Sequence, residues 1–406
     1  MKYLSSCIVT ICIGVLSILN HRFLKINYVV TLRVLLHMIL SPDQWGFPAN
    51  DKPWIISGPC GAESAEQVMT TALGVKASGA HAIRAGIWKP RTRPGSFEGM
   101  GEQALEWLRA AGDATGLPVM VEVASAKHVE AALKSKIDFI WIGARTTVNP
   151  FLVQEIADSL NGVDIPVFIK NPVNPDLALW IGAIERIERS GINKIAAIHR
   201  GFSSYENSVY RNKPNWEIPI ELKRKMPSIA MFCDPSHICG SPQLLGAVSQ
   251  LALDLQFDGL MIESHCNPSE ALSDKNQQLT PAELKVLIDS LSIRKAEFDC
   301  PVELSRLQDL RDVIDEIDYD LLNKMAERMN IARKIGQYKF LNNVAIYQSQ
   351  RWAEIIESRT AIGEEKGLSP EFILKLYNMI HEESILQQTS QVKTEEEVPV
   401  KNATKE

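Results

Sequence analysis

From Trp54 onward, short apolar runs alternate with longer stretches whose apolar positions recur every three or four residues. The short runs are WIIS (54–57), AIRAGI (82–87), VMVEVA (119–124), FIWIGA (139–144), VFIK (167–170), KIAAIH (194–199), IAMFC (229–233) and GLMIES (259–264). Rich in β-branched residues and close to continuously apolar, they read as strands buried on both faces. In the longer stretches, Ala104, Leu105, Leu108 and Ala111, or Leu244, Leu245, Val248, Leu251 and Leu255, share one helical face. Thr280, Pro281 and Glu283 provide an N-cap, a proline at the first helical position and a capping-box partner for another helix. Strands alternating with helices imply a parallel sheet covered on its outer face. Eight such repeats imply closure into an α/β (β/α)8 TIM barrel over residues 41–291, with a doubly wound open sheet as the alternative.

After Ser292 the pattern changes for good. A linker over 292–302 leads to Leu304, Leu307, Leu310, Val313, Ile314, Ile317, Leu321, Leu322, Met325 and Met329, which trace one long helix that Ile331 and Ile335 continue. A second helix is expected over about 346–366, ending at Gly367, and a third, opened by Ser369-Pro370-Glu371, over about 370–388. An all-α three-helix domain is therefore expected at 303–390, followed by a disordered tail at 391–406. On periodicity alone, this segment also fits a coiled-coil dimerisation module.

The first forty residues differ in character from the remainder of the chain. Leu4 to Leu19 is almost wholly apolar, Lys2, Arg22, Lys25 and Arg33 flank it, and no acidic residue precedes Asp43. The run is short for a membrane span of about 20 residues and has no small-x-small cleavage site. Residues 1–40 thus read as the product of a misplaced start, translation beginning at Met38, as a membrane anchor, or as a structured helix. Composition narrows the rest. With 406 residues, 45% hydrophobic and 23% charged, the chain is globular and long enough for two domains. A net charge of -6 argues against a general nucleic-acid binder. Seven cysteines, odd in number and without a CxxC pair, point to a reducing compartment, so a cytoplasmic location is expected.

Barrel active sites lie at the carboxyl ends of the strands, and chemistry-bearing residues cluster there. Cys60 follows the first run, Arg84 and the KPRT loop the second, Glu122 sits at the third, Arg145 follows the fourth, and Lys170 ends the fifth. His199 and Arg200 lie at the sixth, Asp234 and His237 at the seventh, Glu263 at the eighth, and Asp274 further along that loop. Cys60, His237, Glu263 and Asp274 offer a mixed soft and hard donor set that suits Mn, Fe, Co or Zn better than Mg or Ca. Arg84, Lys89, Arg145, Lys170, Arg200 and the Arg91-Thr92 pair form a cationic basin with charge enough for two phosphates and a carboxylate. A Lewis-acidic metal beside such a basin fits carbonyl activation in a condensation of two phosphorylated substrates.

At these residues a resemblance becomes specific. GPCGAES, IRAGIWKPRTRPGSFEG, IGART, IKNP, HRG, DPSH and the IESH...ALSD pair, in this order, resemble the type I beta family of 3-deoxy-D-arabino-heptulosonate 7-phosphate (DAHP) synthases. That family joins phosphoenolpyruvate to erythrose 4-phosphate at the entry to the shikimate pathway. The resemblance implies that Cys60, His237, Glu263 and Asp274 hold the metal; that Arg84, Lys89, Arg145, Lys170 and Arg200 bind phosphoenolpyruvate; and that Arg91 and Thr92 receive erythrose 4-phosphate. Lys89 would also reach the aldehyde-derived oxygen, and Glu122 would orient the attacking water. The ferredoxin-like regulatory domain that some relatives carry before the barrel has no counterpart in the short apolar peptide before Trp54.

The helical segment LRDVIDEIDYDLLNKMAERMNIARKIGQYK, with QSQRW and HEESILQQ, resembles the AroQ-type chorismate mutases. They rearrange chorismate to prephenate by holding a dianion in its reactive conformer, with donors at the ether oxygen. By motif, Arg311, Arg328 and Arg351 would bind carboxylates, Lys339 and Gln388 the ether oxygen, and Ser384 part of the rest. Gln348 and Trp352 stand where family members often place acidic groups that contact the substrate hydroxyl. In this family two chains intertwine and one arginine, here Arg311, enters the partner's site, which implies a homodimer. Three other readings remain: a helical domain acting mainly as a sensor of chorismate or prephenate, a Schiff-base aldolase using Lys170, and a related sugar-acid synthase.

Overall fold

The computed structural model describes residues 39–45, 53–90, 95–205, 208–295 and 300–396. Residues 1–38, with the anchor or start-site question, and Arg91 and Thr92 lie outside the described residues. No helix among the described residues is long and apolar enough to cross a membrane. The chain divides into two compact units, 1–296 and 297–406.

In the first unit, β1 (Trp54–Gly58), α1 (Ala65–Ala77), β2 (Ala82–Ala85), α2 (Gln103–Thr115), β3 (Val119–Val123), α3 (Ala126–Lys134) and β4 (Phe139–Ile142) are followed by α4 (Ala144–Thr147) and α5 (Pro150–Ser159). Then come β5 (Val167–Lys170), α6 (Leu177–Arg189), β6 (Ile195–His199), α7 (Glu217–Lys225), β7 (Ala230–Cys233), α8 (Pro235–Cys239), α9 (Leu245–Asp254), β8 (Gly259–Glu263) and α10 (Pro281–Ser290). The strands pair in sequence order and β1 closes on β8 in parallel, from Trp54 opposite Gly259 to Gly58 opposite Glu263. Closure removes both sheet edges and rules out the open alternative.

Helix starts follow side-chain chemistry. Ser64 accepts from Gln67 N, Ser125 from His128 N and Asp176 from Leu179 N, while Thr280 and Glu283 form the expected reciprocal box. The predicted stripe of Ala104, Leu105, Leu108 and Ala111 is fully buried against the sheet.

Inside the barrel, the two-residue period of a strand sorts the side chains. Ile56, Ala82, Met120, Phe139, Trp141, Phe168, Ala196, Ile198, Ala230, Phe232 and Met261 pack together as the inner core. Trp45 closes its base, edge-on to Phe168 at 5.6 Å, with its indole N–H donating to Leu40 O at 2.9 Å. Two residues beyond the inner apolar layer, the same face of six of the eight strands delivers Arg84, Glu122, Lys170, Arg200, Asp234 and Glu263, while β1 and β4 present Gly58 and Gly143. The chemistry of the barrel is therefore the next step of the alternation that builds its core.

The second unit consists of α11 (Pro301–Leu341), α12 (Ser349–Glu365) and α13 (Pro370–Glu396). At about 1.5 Å per residue, α11 is roughly 60 Å long. Gly336 lets α11 and α13 approach closely, since a Cβ there would stand 2.7 Å from Gln388 Cα. α12 begins at Ser349 rather than near 346, because Lys339 Nζ donates to Ile346 O at 2.6 Å and Asn343 takes a left-handed conformation, holding the preceding turn non-helical. α13 runs to Glu396, past the expected boundary of the tail at 391. Gln391, Lys393, Glu395 and Glu396 are good helix formers, and no proline intervenes before Pro399. On the N-terminal half of α11, Leu310, Val313, Ile314, Ile317, Leu321 and Leu322 are all more than half exposed.

Candidate active sites

At the carboxyl ends of the strands, Cys60, Glu263 and Asp274 each offer one ligand atom, and these atoms lie within 4.8 Å of one another. Cys60 Sγ donates to Asp274 Oδ2 at 3.1 Å, and Lys89 Nζ donates to both Cys60 Sγ at 2.7 Å and Cys60 O at 2.5 Å. Gly86 permits that approach, since a Cβ there would stand 2.3 Å from Cys60 O. Burial, followed by the charge of Glu263, pushes the Cys60 thiol up to about 12. His237 sits beside the cluster, its Nε2 3.9 Å from Glu263 Oε1. Burial lowers its pKa, and Asp234, 2.8 Å from its Nδ1, only partly compensates. Glu263 Oε1 is buried without a hydrogen-bond partner, an orphan acceptor facing cationic groups. Although burial works to raise the pKa of Glu263, His237, Arg84 and Lys89 outweigh it and hold the carboxylate below its ordinary value. A thiol, an imidazole and two carboxylates, one of them with an oxygen that accepts no hydrogen bond, fit a divalent transition metal.

Beside this cluster lies a cavity of about 210 Å³ lined by Glu122, Arg145, Lys170, Arg200, Arg211 and His237. Lys170 is buried and paired with the equally buried Asp234 at 2.7 Å. Arg84 is 2% exposed and pairs with Glu263 at 3.2 Å. Burial opposes the charge on Arg84, but Glu263 and Cys60 more than offset it and raise its pKa. For Arg200, burial wins: its pKa falls to about 10, with Arg211 and Arg145 adding to the depression, while Asn212 Oδ1 accepts from its Nη1 at 2.7 Å.

One residue grouped with the site by sequence does not belong there. His199 points to the outer face of β6, fully buried among Phe202, Trp216 and Phe257. Burial, with Arg200 adding, drives its pKa to about 3. Conversely, Arg211 and Gln277 belong to the site although no sequence motif marks them. Arg211 Nη1 donates to Asp274 Oδ1 at 3.0 Å and Gln277 Oε1 at 2.6 Å, and Gln277 Nε2 donates to Glu263 Oε2 at 2.6 Å. These two side chains tie two of the candidate ligands together.

In the helical unit, Arg328, Lys339, Arg351, Ser384 and Gln388 converge on a cavity of about 1000 Å³, with Gln348 and Trp352 on its wall. Arg328 Nη1 donates to Ser384 Oγ at 2.5 Å, and the Gln388 Oε1 acceptor is buried and unpartnered. Burial lowers the pKa of both Arg328 and Lys339. Glu354, the carboxylate on the wall, is paired with Arg351 at 3.0 Å. His381, which the sequence did not single out, stacks on Trp352 at 3.9 Å and 13°. Arg311 stands apart from this cavity, exposed on α11.

Residues 39–294 match the DAHP synthetase I family and residues 310–389 match chorismate mutase type II. The chain belongs to the DAHP synthetase I family. It is similar to the phospho-2-dehydro-3-deoxyheptonate aldolase of Thermotoga maritima, 33% identical over 247 residues that cover 59% of this chain and 71% of that one. A crystal structure of DAHP synthase from Thermotoga maritima superposes with a TM-score of 0.53 at 30% identity, covering 59% of this chain and 68% of that one. The helical unit is similar to part of the bifunctional chorismate mutase/prephenate dehydratase of Buchnera aphidicola, 35% identical over 83 residues, 20% of this chain and 22% of that one. The DAHP synthase barrel is thus fused to a C-terminal chorismate mutase domain.

Proposed function

We propose that the barrel condenses phosphoenolpyruvate with erythrose 4-phosphate, using a divalent metal held by Cys60, His237, Glu263 and Asp274. The observation that carries this reading is the soft and hard donor cluster lying beside a cation-lined cavity at one end of the barrel. Arg84, Lys89, Arg145, Lys170 and Arg200 would grip the phosphate and carboxylate of phosphoenolpyruvate, and Arg91 with Thr92 the phosphate of the aldose. A divalent metal in this donor set would supply Lewis-acid polarisation of a carbonyl oxygen. Carbon 3 of phosphoenolpyruvate attacks the aldehyde carbon, and Lys89 delivers a proton to the oxygen that was the aldehyde's. Water, oriented by Glu122, adds at carbon 2 of the former enol phosphate. Cleavage of the C–O bond then releases inorganic phosphate and leaves the new keto group. A Schiff base at Lys170 is disfavoured by its buried ion pair with Asp234, which opposes its use as a nucleophilic amine.

The helical domain would rearrange chorismate to prephenate. Arg328 and Arg351 would hold the carboxylates, Lys339 and Gln388 the ether oxygen, Ser384 and Gln348 the remaining polar groups. Arg311 would serve the site of a second chain in a homodimer built on the exposed apolar row of α11. A cavity lined by cations, its carboxylate already paired, also favours a second role: binding chorismate or prephenate as a signal that restrains the synthase. A coupled assay of the purified chain with phosphoenolpyruvate, erythrose 4-phosphate and added Mn, repeated with prephenate, tests both. Absence of phosphate release under every metal would refute the barrel reading. If prephenate still inhibits an Arg328→Ala variant that has lost mutase turnover, sensing does not use the mutase cavity.

A further inference from the structure

We infer that Trp141 is a positioning residue of the barrel site, its indole face holding the Arg84 guanidinium and the Lys170 ammonium in place to receive one anion. This rests on the assignment of both cations to phosphoenolpyruvate. Arg84 Cζ lies 4.8 Å and Lys170 Nζ 5.8 Å from the centroid of the same ring. Both distances are within the range in which the negative face of an aromatic ring attracts a cation, and burial strengthens that attraction.

Trp141 occupies the uppermost position of the inner apolar layer. It is opposite Glu122 on β3 and Phe168 on β5, one alternation below Gly143 at the floor of the cation-lined cavity. A core-filling role alone is a poor account of it. Phe139, two residues earlier on the same face, already packs edge-on against Phe168 at 5.8 Å. The Trp141 indole N–H is fully buried without a hydrogen-bond partner, which an apolar side chain at this position would avoid. What the indole adds is an electron-rich face toward two like charges.

Those charges need such a surface. Arg84 Nε and Nη1 are buried and make no hydrogen bond, so the 3.2 Å ion pair with Glu263 does not by itself orient the guanidinium plane. Glu263 is also a candidate metal ligand, and an Arg84 held by that carboxylate alone would be drawn toward Cys60 and Asp274. Lys170 is pulled by Asp234 toward β7. The ring attracts both cations without neutralising either, leaving their charge available to a phosphate and a carboxylate.

The test replaces Trp141 in the full chain by leucine, by phenylalanine and by pentafluorophenylalanine, which keeps the shape of phenylalanine but inverts the charge of its face. KM is measured separately for each substrate. Trp141→Leu is expected to raise the KM for phosphoenolpyruvate roughly 3- to 30-fold, the range that cation–π strengths imply, with the KM for erythrose 4-phosphate unmoved. Phenylalanine should restore most of the loss, whereas its fluorinated counterpart should behave like leucine. Equal constants for the two aromatic variants, or a parallel rise for both substrates, would overturn the inference. If the leucine variant does not fold, the two isosteric aromatic variants still decide. A wild-type chain without phosphoenolpyruvate-dependent activity would instead refute the assignment on which the inference rests.

Discussion

Gly143 and Glu122 share a space that only a glycine leaves open: a Cβ on Gly143 would stand 1.9 Å from Glu122 Oε1. The glycine has an ordinary extended φ of -72°, so the constraint is room for the carboxylate rather than backbone conformation. Gly143→Ala should therefore displace Glu122 from the cavity. Since a misplacement of about 1 Å can cost roughly 100-fold in rate, synthase kcat should fall by about that factor, and Glu122→Gln should not lose much more when placed in the same background. Steady-state kinetics of the two single variants and the double variant check this.

The two units should respond differently to chelation. EDTA should reduce synthase activity to background, and Mn should restore it, while chorismate turnover by the same preparation stays constant. The mutase cavity contains Arg328, Lys339, Gln388 and no cluster of metal-ligand atoms among the described residues. Cys60→Ala should reproduce the chelated state, with inductively coupled plasma analysis showing loss of bound metal.

His199 should make the barrel sensitive to acid. Its native pKa of about 3 lies below the ordinary value of 6.5, so the unfolded chain binds a proton that the folded chain refuses. Stability should be fully present above pH 6.5 and decline as pH falls toward 3. His199→Phe, which keeps an aromatic ring beside Phe202 and Trp216, should flatten this part of the profile of urea midpoint against pH.

In the mutase cavity, the His381 stack should fix the orientation of Trp352. His381→Ala should weaken chorismate binding by about 0.5–1.5 kcal/mol, the typical worth of an aromatic pair, and leave synthase activity unchanged. Arg328→Ala should abolish turnover. A His381→Ala variant with wild-type KM would show that Trp352 holds its place without the stack.

Leu321→Glu should separate the proposed dimer, because it places a charge in the apolar row of α11 that the chain itself leaves uncovered. Analytical ultracentrifugation should show monomers, with mutase activity lost together with the partner's arginine.

The eight strands were legible because both of their faces are buried, which leaves long apolar runs between helical periods. That same continuity concealed which face was inside. His199 and Arg200 are adjacent and both polar, so only the alternation from Ala196 through Ile198 shows that the arginine enters the barrel and the histidine leaves it. Arg211 and Gln277 could not be found from motifs, because they meet Asp274 and Glu263 from loops 63 and 14 residues distant. In the sequence Trp141 reads as any other core aromatic; its proximity to Arg84 Cζ at 4.8 Å and Lys170 Nζ at 5.8 Å is a product of the fold. Arg328, Lys339, Arg351 and Gln388 are named by the resemblance to the AroQ-type mutases rather than by spacing, since they lie on three different helices that only the fold brings to one cavity.

The alternation inside the barrel has a genetic consequence. Arg84, Glu122, Lys170, Arg200, Asp234 and Glu263 reach the site only because each lies an even number of positions from an inward apolar residue on its strand. A substitution in a strand changes one side chain, but the loss or gain of one codon there reverses the phase of everything beyond it. Deleting Ile169 would bring Lys170 to an outward position and leave a hole in the anion site without altering any catalytic residue. The loops between strands can lengthen and shorten over generations, while the strands can vary in sequence but not in count.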